Sequence, residues 1–172
     1  MSNFVLDECA FSKRLRAQCE QEGLATVRRL PRALAGSKDP ELLPEVVRAG
    51  YTLLTYDREI GEQNASLLSL GHAGIVIVRS ASTQSPLTDA LARQILGKFK
   101  QIIPLWHSAN AANSVIEITQ ESIQLWHAEG GELEQDVYLG YDRADLQGTL
   151  LDVLKANSSR CPRQLPSSSG HS

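Results

Sequence analysis

Carboxylates that directly follow short apolar runs are the first candidates for chemistry in this chain. Asp7 and Glu8 follow residues 4–6, which read Phe-Val-Leu, and Asp57 follows residues 53–56, which read Leu-Leu-Thr-Tyr. A short apolar run is typical of a buried parallel strand, and open α/β sheets bind ligands just outside the carboxyl ends of such strands. We therefore expect these acids to share one crevice. Because like charges held close together are costly, a divalent cation such as Mg²⁺ or Mn²⁺ is the expected cofactor.

A third carboxylate, Asp39, stands at the start of a predicted helix that leads into the second apolar run. Ser37 or Asp39 can cap this helix, and Pro40 favours its first turn. The start of a helix in a doubly wound fold can face the same crevice as the strand ends. We therefore predict that three acids converge there and that three more lie around them, namely Asp7, Asp39 and Asp57 at the centre, with Glu8, Glu41 and Glu59 as neighbours.

Apolar periodicity predicts strands that alternate with helices. Strands are expected at residues 3–6, 25–27, 51–55 and 75–78, with a hairpin at 115–118 and 123–126. Helices are expected at about residues 10–22, 40–50, 59–70, 87–103 and 146–154. This alternation implies a parallel or mixed sheet with helices on both faces. The predicted fold class is therefore α/β and Rossmann-like, with a central, mainly parallel sheet.

One domain is expected over residues 1–128, followed by an acidic, partly helical extension over 129–156. Residues 129–152 of this extension contain seven acids and one Arg. Ser, Pro and Gly dominate residues 157–172, and this composition predicts a disordered tail.

The bulk composition limits the classes of partner. A net charge of −3 and a pI near 5.8 lack the basic signature of a dedicated nucleic-acid binder, so any surface for a polyanion has to be local and built from the N-terminal half. Three cysteines without Cys-x-x-Cys spacing argue against a disulfide framework or a zinc site. The sequence contains neither a signal peptide nor an apolar run long enough for a bilayer. We therefore expect a cytoplasmic protein with no membrane partner.

The order of these motifs resembles the small PIN-like proteins that are grouped with PIN-domain toxins. The resemblance spans about residues 3–128, including the hairpin-like segment, and its most specific part is the decapeptide at 49–58. The phrases that carry it are Leu-Asp-Glu at 6–8, Gly-Ser-Lys-Asp-Pro-Glu-Leu at 36–42, Ala-Gly-Tyr-Thr-Leu-Leu-Thr-Tyr-Asp-Arg at 49–58 and Gly-Ile-Val-Ile-Val-Arg at 74–79.

The resemblance implies a three-layer PIN-like fold and metal-dependent cleavage of RNA phosphodiesters. Asp7, Asp39 and Asp57 map onto the acidic, metal-binding catalytic positions of such proteins. Glu59 occupies a place where relatives often carry Asp, and Ile60 replaces an aromatic residue. The resemblance also implies RNA as the substrate and a small antitoxin protein as a partner, and by analogy a homodimer is expected.

Basic residues in the N-terminal half are the expected contacts of the RNA backbone, because phosphate contacts position a nucleic acid without reading its sequence. Thr55 is expected to fix a metal ligand or a water beside the substrate. The substrate-binding candidates are Thr55, Arg58, Lys13, Arg14 and Lys38, and Arg28, Arg29 and Arg32 could join them if they are not simply part of a solvated loop.

Three other interpretations stay open. Asp7, Asp39 and Asp57 could serve only as turn or cap residues of the segments that follow them, and Glu8 could simply be solvated. The chain could be a catalytically weak PIN-like module that binds RNA or a protein, as the Glu at position 59 would allow. It could also be a phospho-acceptor receiver domain, in which Ser80 or Ser82 supplies a hydroxyl, although no strand ends in Lys-Pro. The histidines His72, His107 and His127 lack the spacing of metal ligands, and Trp106 and Trp126 are expected to be packing residues.

Overall fold

The computed structural model describes residues 4–6, 17, 18, 21, 28, 29, 39–82, 84 and 86–160. Its strands are β1 (Phe4–Leu6), β2 (Arg28–Arg29), β3 (Thr52–Thr55), β4 (Ile75–Val78), β5 (Val115–Ile118), β6 (Ile123–Glu129) and β7 (Glu132–Leu139). Its helices are α1 (Asp39–Arg48), α2 (Ile60–Gln63), α3 (Ala65–Leu68), α4 (Asp89–Phe99), α5 (Ile103–Ser108), α6 (Arg143–Asp145) and α7 (Leu151–Ser158), with a π-helical turn over Leu146–Leu150.

All seven strands form one sheet in the order β2-β1-β3-β4-β5-β6-β7. The first five strands are parallel, and β6 and β7 are added in antiparallel fashion. The chain leaves β1 to one side to form β2, then crosses back over β1 to form β3. The strand order therefore reverses between β1 and β3, and such a reversal opens a crevice at the carboxyl ends of the two strands.

Alternating side chains of the strands build two hydrophobic clusters, one on each face of the sheet. Val76 and Val78 pack with α4 and α5 in the larger cluster, in which Trp106 is fully buried. Ile75 and Ile77 pack with α1, α2 and α3 in the smaller cluster, against which Trp126 lies. The chain is therefore an α/β protein with helices on both faces of a mainly parallel sheet, and both tryptophans are packing residues as predicted.

Most predicted elements with a clear apolar pattern are confirmed within one or two residues. β1, β3, β4, α1 and β5 lie where the sequence indicates, and β6 begins at the predicted Ile123 but runs to Glu129, three residues past its predicted end. Residues 17, 18 and 21 are helical, and the rest of the first predicted helix lies outside the described residues. The helix expected over 87–103 ends instead at Phe99, and α5 begins at Ile103 because Pro104 suits a first turn and not a helix interior.

The second strand differs from its prediction. Residues 25–27, where it was expected, lie outside the described residues, and β2 consists of Arg28 and Arg29. Arg28 pairs with Val5, so these arginines belong to an edge strand and not to a solvated loop. These residues form a strand because their backbone pairs with β1, although both side chains are charged.

The domain boundary expected at residue 128 falls inside β6, and the acidic segment after it is the last strand of the sheet. Gly130 and Gly131 connect β6 to β7, and both have positive φ angles of 63° and 87°, as a two-residue type I′ turn requires. The acids of β7 lie on an exposed edge strand, where charge discourages pairing with other chains. Residues 157 and 158, expected to begin a disordered tail, are the end of α7, and residues 161–172 lie outside the described residues.

In the described part of the chain, no helix is both long enough and apolar enough to cross a membrane.

Gly74, directly before β4, is predicted to be irreplaceable. Its φ angle is 114°, and an added Cβ would lie 2.5 Å from Trp106 Cζ2 and 2.9 Å from the Ala111 carbonyl oxygen. Backbone strain and overpacking should together lower the free energy of unfolding of Gly74→Ala by about 3 kcal/mol or more. Gly97→Ala is the matched control, since its Cβ would meet nothing within 4 Å, and in helix α4 it should gain about 0.5–1 kcal/mol. Urea unfolding of both variants measures this, and equal effects would contradict the argument.

His72 should make the fold sensitive to acid. The side chain is buried, and its Nδ1 accepts a hydrogen bond from the Gly74 N–H at 3.1 Å. Burial lowers the pKa of His72 from 6.5 to about 4, so between these values the unfolded chain binds a proton that the folded chain does not. The resulting stabilisation is present above pH 6.5 and is lost as the pH falls toward 4, by about 3 kcal/mol in all. Unfolding free energies measured across this range should fall less steeply for His72→Asn than for the wild type; parallel profiles would refute this origin.

Candidate active site at the carboxyl edge of the parallel strands

The candidate site lies at the strand-order reversal between the ends of β1 and β3, the position at which open α/β sheets form their binding crevice. Leu6, the last residue of β1, pairs with Leu54, and β3 ends one residue later at Thr55. The sequence continues from these ends with Asp7 and with Tyr56 and Asp57, so the two predicted acids follow neighbouring strands. Six of the predicted site residues lie outside the described part of the chain, namely Asp7, Glu8, Lys13, Arg14, Arg32 and Lys38.

Asp57 is held in place by the backbone and by the end of β3. Its N–H donates to Thr55 Oγ1 at 3.1 Å, and its own Oδ1 accepts from the Glu59 N–H at 3.0 Å. The second contact is an Asx turn that leads into α2. One carboxylate oxygen of the half-buried Asp57 is therefore engaged in a turn ahead of α2, and the same turn fixes the direction of the carboxylate.

Thr55 supports the backbone of Asp57. Its side chain is fully buried, so it adds no surface for the RNA contact that was expected of it. The buried hydroxyl instead fixes the backbone of a candidate metal ligand. Arg58 and Glu59 are exposed beside it, and Glu59 Oε2 accepts from Gln63 Nε2 at 3.2 Å.

Helix α1 directs its first residue toward the same edge of the sheet. Leu43 and Val46 are buried against the face that contains Leu53, and α1 ends at Arg48, four residues before β3 begins at Thr52. A helix that packs along a strand and ends where that strand begins has its first turn near the strand's carboxyl end. Asp39, the first residue of α1, therefore begins the helix on the side of the crevice, and Pro44 does not interrupt the helix.

A buried ion pair, which the sequence interpretation missed, lies two strands away from β3. Glu117 of β5 is 7% exposed and pairs with Arg79, the residue after β4. Glu117 stands opposite Ile77, which stands opposite Thr55, so all three occupy one row across the sheet. A charged residue within the apolar run at 115–118 was the available signal, but only the strand register reveals its partner.

A second group of polar side chains lies at the opposite edge of the sheet. His127 is buried, its Nδ1 lies 2.7 Å from Asp136 Oδ1, and Glu129 and Glu134 lie beside it. The available signal was the Gly-Gly dipeptide between His-x-Glu and Glu-x-Glu, which predicts a hairpin with these side chains on one face. Because the segment is rich in acids, it was interpreted as an extension and not as a strand of the sheet.

The described residues fit the expected Mg²⁺ or Mn²⁺ only in part. Asp57 and Glu59 offer the hard oxygen ligands that these ions prefer. In the part of the chain with described side chains, three potential ligand atoms come together only at His127, Glu129 and Glu134. A complete ligand set in the crevice therefore requires Asp7 and Asp39.

Comparisons of the chain with models of protein families, with curated proteins and with solved structures find no match. The resemblance to PIN-like proteins consequently rests on the sequence phrases alone, and the topology and geometry of the crevice are independent of it.

The Arg79–Glu117 pair should be strongly coupled. Glu117→Leu leaves a guanidinium that is only 28% exposed without its carboxylate, and we expect a loss of about 3 kcal/mol in the free energy of unfolding. Arg79→Met in the same chain removes the stranded charge and should restore most of this loss. A double-mutant cycle by urea unfolding measures the coupling; additive losses would show that the two side chains act independently.

Proposed function

We propose that this chain is a metal-dependent endoribonuclease of the PIN-like type, which hydrolyses RNA phosphodiesters as the toxin of a toxin–antitoxin pair. The observation that supports the proposal best is the reversal of strand order between β1 and β3. Ligands of open α/β sheets bind at this position, and the strands on both sides of it are followed in sequence by Asp7 and Asp57. Two carboxylates in one crevice favour a divalent cation.

Asp7, Asp39 and Asp57 would hold Mg²⁺ or Mn²⁺, with Glu59 acting through a longer side chain. When bound at these carboxylates, such an ion would supply Lewis-acid chemistry at the phosphate and would activate a water as the nucleophile. Thr55 holds the Asp57 backbone, so the carboxylate is oriented before the ion arrives. Since an activated water is the nucleophile, no side chain needs to form a covalent bond to the RNA.

The RNA backbone would be held by Lys13, Arg14, Lys38 and Arg58. The chain is acidic overall, so binding depends on this local group of cations and on the metal. An antitoxin that covers the crevice and a second copy of the chain are the proposed protein partners, and both follow from the resemblance to PIN-like toxins.

A catalytically weak module that binds RNA without cutting it is the second candidate. The observation in its favour is that Asp57 Oδ1 caps the Glu59 N–H, which leaves less of the carboxylate for a metal. Glu59 is also one methylene longer than the Asp that relatives often carry.

A receiver domain receives mixed support. The order of the five parallel strands is that of the flavodoxin-like doubly wound folds, to which receivers belong. However, β5 is followed by Thr119, whose Oγ1 accepts from the Glu121 and Ser122 N–H groups, where a receiver needs a lysine. Ser80 is buried and accepts from the Ser82 N–H.

The decisive experiment measures cleavage of single-stranded RNA by the purified full-length chain with Mn²⁺, Mg²⁺ or a chelator. Asp57→Asn keeps the Oδ1 acceptor for Glu59 and should therefore fold, yet cleavage should fall about 100-fold or more, which corresponds to about 3 kcal/mol of lost transition-state stabilisation. Asp7→Asn should behave in the same way, and Glu59→Gln should have a smaller effect.

Glu121→Gln is the matched control, because it removes the same charge from an exposed position after β5 and should leave cleavage unchanged. Cleavage that survives both Asp7→Asn and Asp57→Asn would refute the proposed site. RNA binding without cleavage in the wild type would select the non-catalytic module, and a stable acyl phosphate on Asp57 would select the receiver.

A further inference from the structure

We propose that His127, Glu129 and Glu134 form a binding site for a divalent transition-metal ion, with Zn²⁺ as the occupant. The site lies on the β6–β7 hairpin. Trp126 pairs with Val115, the first residue of β5, so His127 lies beyond the amino end of the parallel strands. It is therefore at the opposite edge of the sheet from Asp57 and does not depend on the proposed ribonuclease activity.

The backbone of the hairpin brings the three side chains together. Residues two apart on a strand lie on one face, so His127 and Glu129 point the same way. Glu134 is the cross-strand partner of His127 and shares that face. The tight turn at Gly130 and Gly131 fixes this register.

One nitrogen of the His127 imidazole faces this cluster and lacks a hydrogen bond. His127 is 4% exposed, and within the described part of the chain its Nε2 is buried with no hydrogen-bond partner. Nε2 lies 3.5 Å from Glu134 Oε2 and 3.6 Å from Glu129 Oε2. A buried polar atom normally has a partner, and a cation bound between these three atoms would be that partner.

The distances suit a zinc ion. Zn–N and Zn–O bonds of about 2.1 Å in a tetrahedron separate neighbouring ligand atoms by about 3.4 Å, close to the two distances from Nε2. All three ligand atoms lie within 4.8 Å of one another, so small side-chain rotations complete the geometry. One imidazole and two carboxylates leave the fourth position to water.

Asp136 orients the imidazole from behind. Its Oδ1 lies 2.7 Å from His127 Nδ1, and in the tautomer with a proton on Nδ1 this contact is a hydrogen bond that leaves the Nε2 lone pair facing the cluster. Carboxylates in this position are typical of zinc-bound histidines. The register shift between β6 and β7 falls at this point, with Trp126 opposite Gln135 and Leu125 opposite Val137, and such a bulge can redirect a side chain.

The charge around the cluster also favours a divalent cation. Glu129, Glu134 and Asp136 are three carboxylates, and among the described residues Arg160 is the cation paired with one of them, with Nη1 at 3.6 Å from Glu129 Oε2. With a neutral His127, the formal charge of this group is −2. A protonated His127 would offset only half of that charge, whereas Zn²⁺ offsets all of it.

The ion would tie the hairpin to the C-terminal helix. Asp136 Oδ2 accepts from Asn157 Nδ2 at 3.0 Å, Asn157 Nδ2 also reaches Ser114 Oγ at 3.2 Å, and Arg160 Nε donates to Asn157 Oδ1 at 3.1 Å. This chain of hydrogen bonds runs from the imidazole to the end of α7. Zinc binding should therefore raise the melting temperature of the whole domain.

Isothermal titration of the metal-free, full-length chain with Zn²⁺ alone tests the proposal, with Mg²⁺ in excess as competitor. We expect one ion per chain, little competition, and a melting temperature raised by several degrees. Glu134→Gln, an exposed position that should fold normally, should weaken binding at least tenfold, and His127→Gln should abolish it. Glu121→Gln, which removes an equal charge at the other edge of the sheet, should leave the affinity unchanged.

Co²⁺ loading then identifies the ligands. Tetrahedral d–d bands without a thiolate charge-transfer band, lost in Glu134→Gln, would support the site. A thiolate band would assign the metal to the cysteines and overturn the proposal, as would an equal affinity of wild type and Glu134→Gln, or no binding at all. Since Asp57 is remote, Asp57→Asn should bind Zn²⁺ like the wild type, so this site and the ribonuclease proposal can fail separately.

Discussion

The short strand β1 is the constraint on which the rest of the molecule depends. It has only three residues, yet it pairs with β2 on one side and with β3 on the other. Because β3 returns to the far side of β1, the order of strands reverses there, and such a reversal is where open α/β sheets form a crevice. Both faces of the strand are buried, Phe4 in the larger cluster and Val5 in the smaller one, so β1 also joins the two halves of the core.

The carboxyl and amino ends of the parallel strands form two opposite edges of the sheet, and these two edges carry different functional groups. At the carboxyl edge, Asp57 and Arg79 come after the ends of β3 and β4, and Glu117 is the last residue but one of β5. At the amino edge, His127 and its carboxylates stand on an antiparallel hairpin beyond β5. The parallel strands hold the first edge rigidly through burial on both faces, whereas the hairpin at the second edge depends on its turn and on side-chain hydrogen bonds to α7.

How well each part of the structure can be predicted depends on how far apart along the chain its interacting residues lie. The apolar run at 75–78 predicts β4, because an uninterrupted apolar run is by itself the pattern of a strand buried on both faces. Pro40 together with the apolar side chains at 43 and 46 predicts α1. β7 carries four acidic or amide side chains on an exposed edge, so its hydrophobic pattern is too weak to indicate a strand. Glu117 and His127 become candidate site residues only through partners on other strands, and no spacing along the chain reveals those partners.

The distribution of charge decides from which side a polyanion can approach. Glu129, Glu132 and Glu134 stand at the amino edge, where a phosphate backbone would be repelled even with one bound divalent ion. At the carboxyl edge, Arg58 is exposed beside Asp57, and the sequence adds Lys13, Arg14 and Lys38 to the segments that follow β1 or precede α1. The acids of the crevice would still repel RNA unless a cation neutralises them. For a ribonuclease of this construction the metal would therefore be a condition for binding its substrate as well as for cutting it, whereas a module that only binds RNA would gain nothing from placing carboxylates at the reversal of strand order.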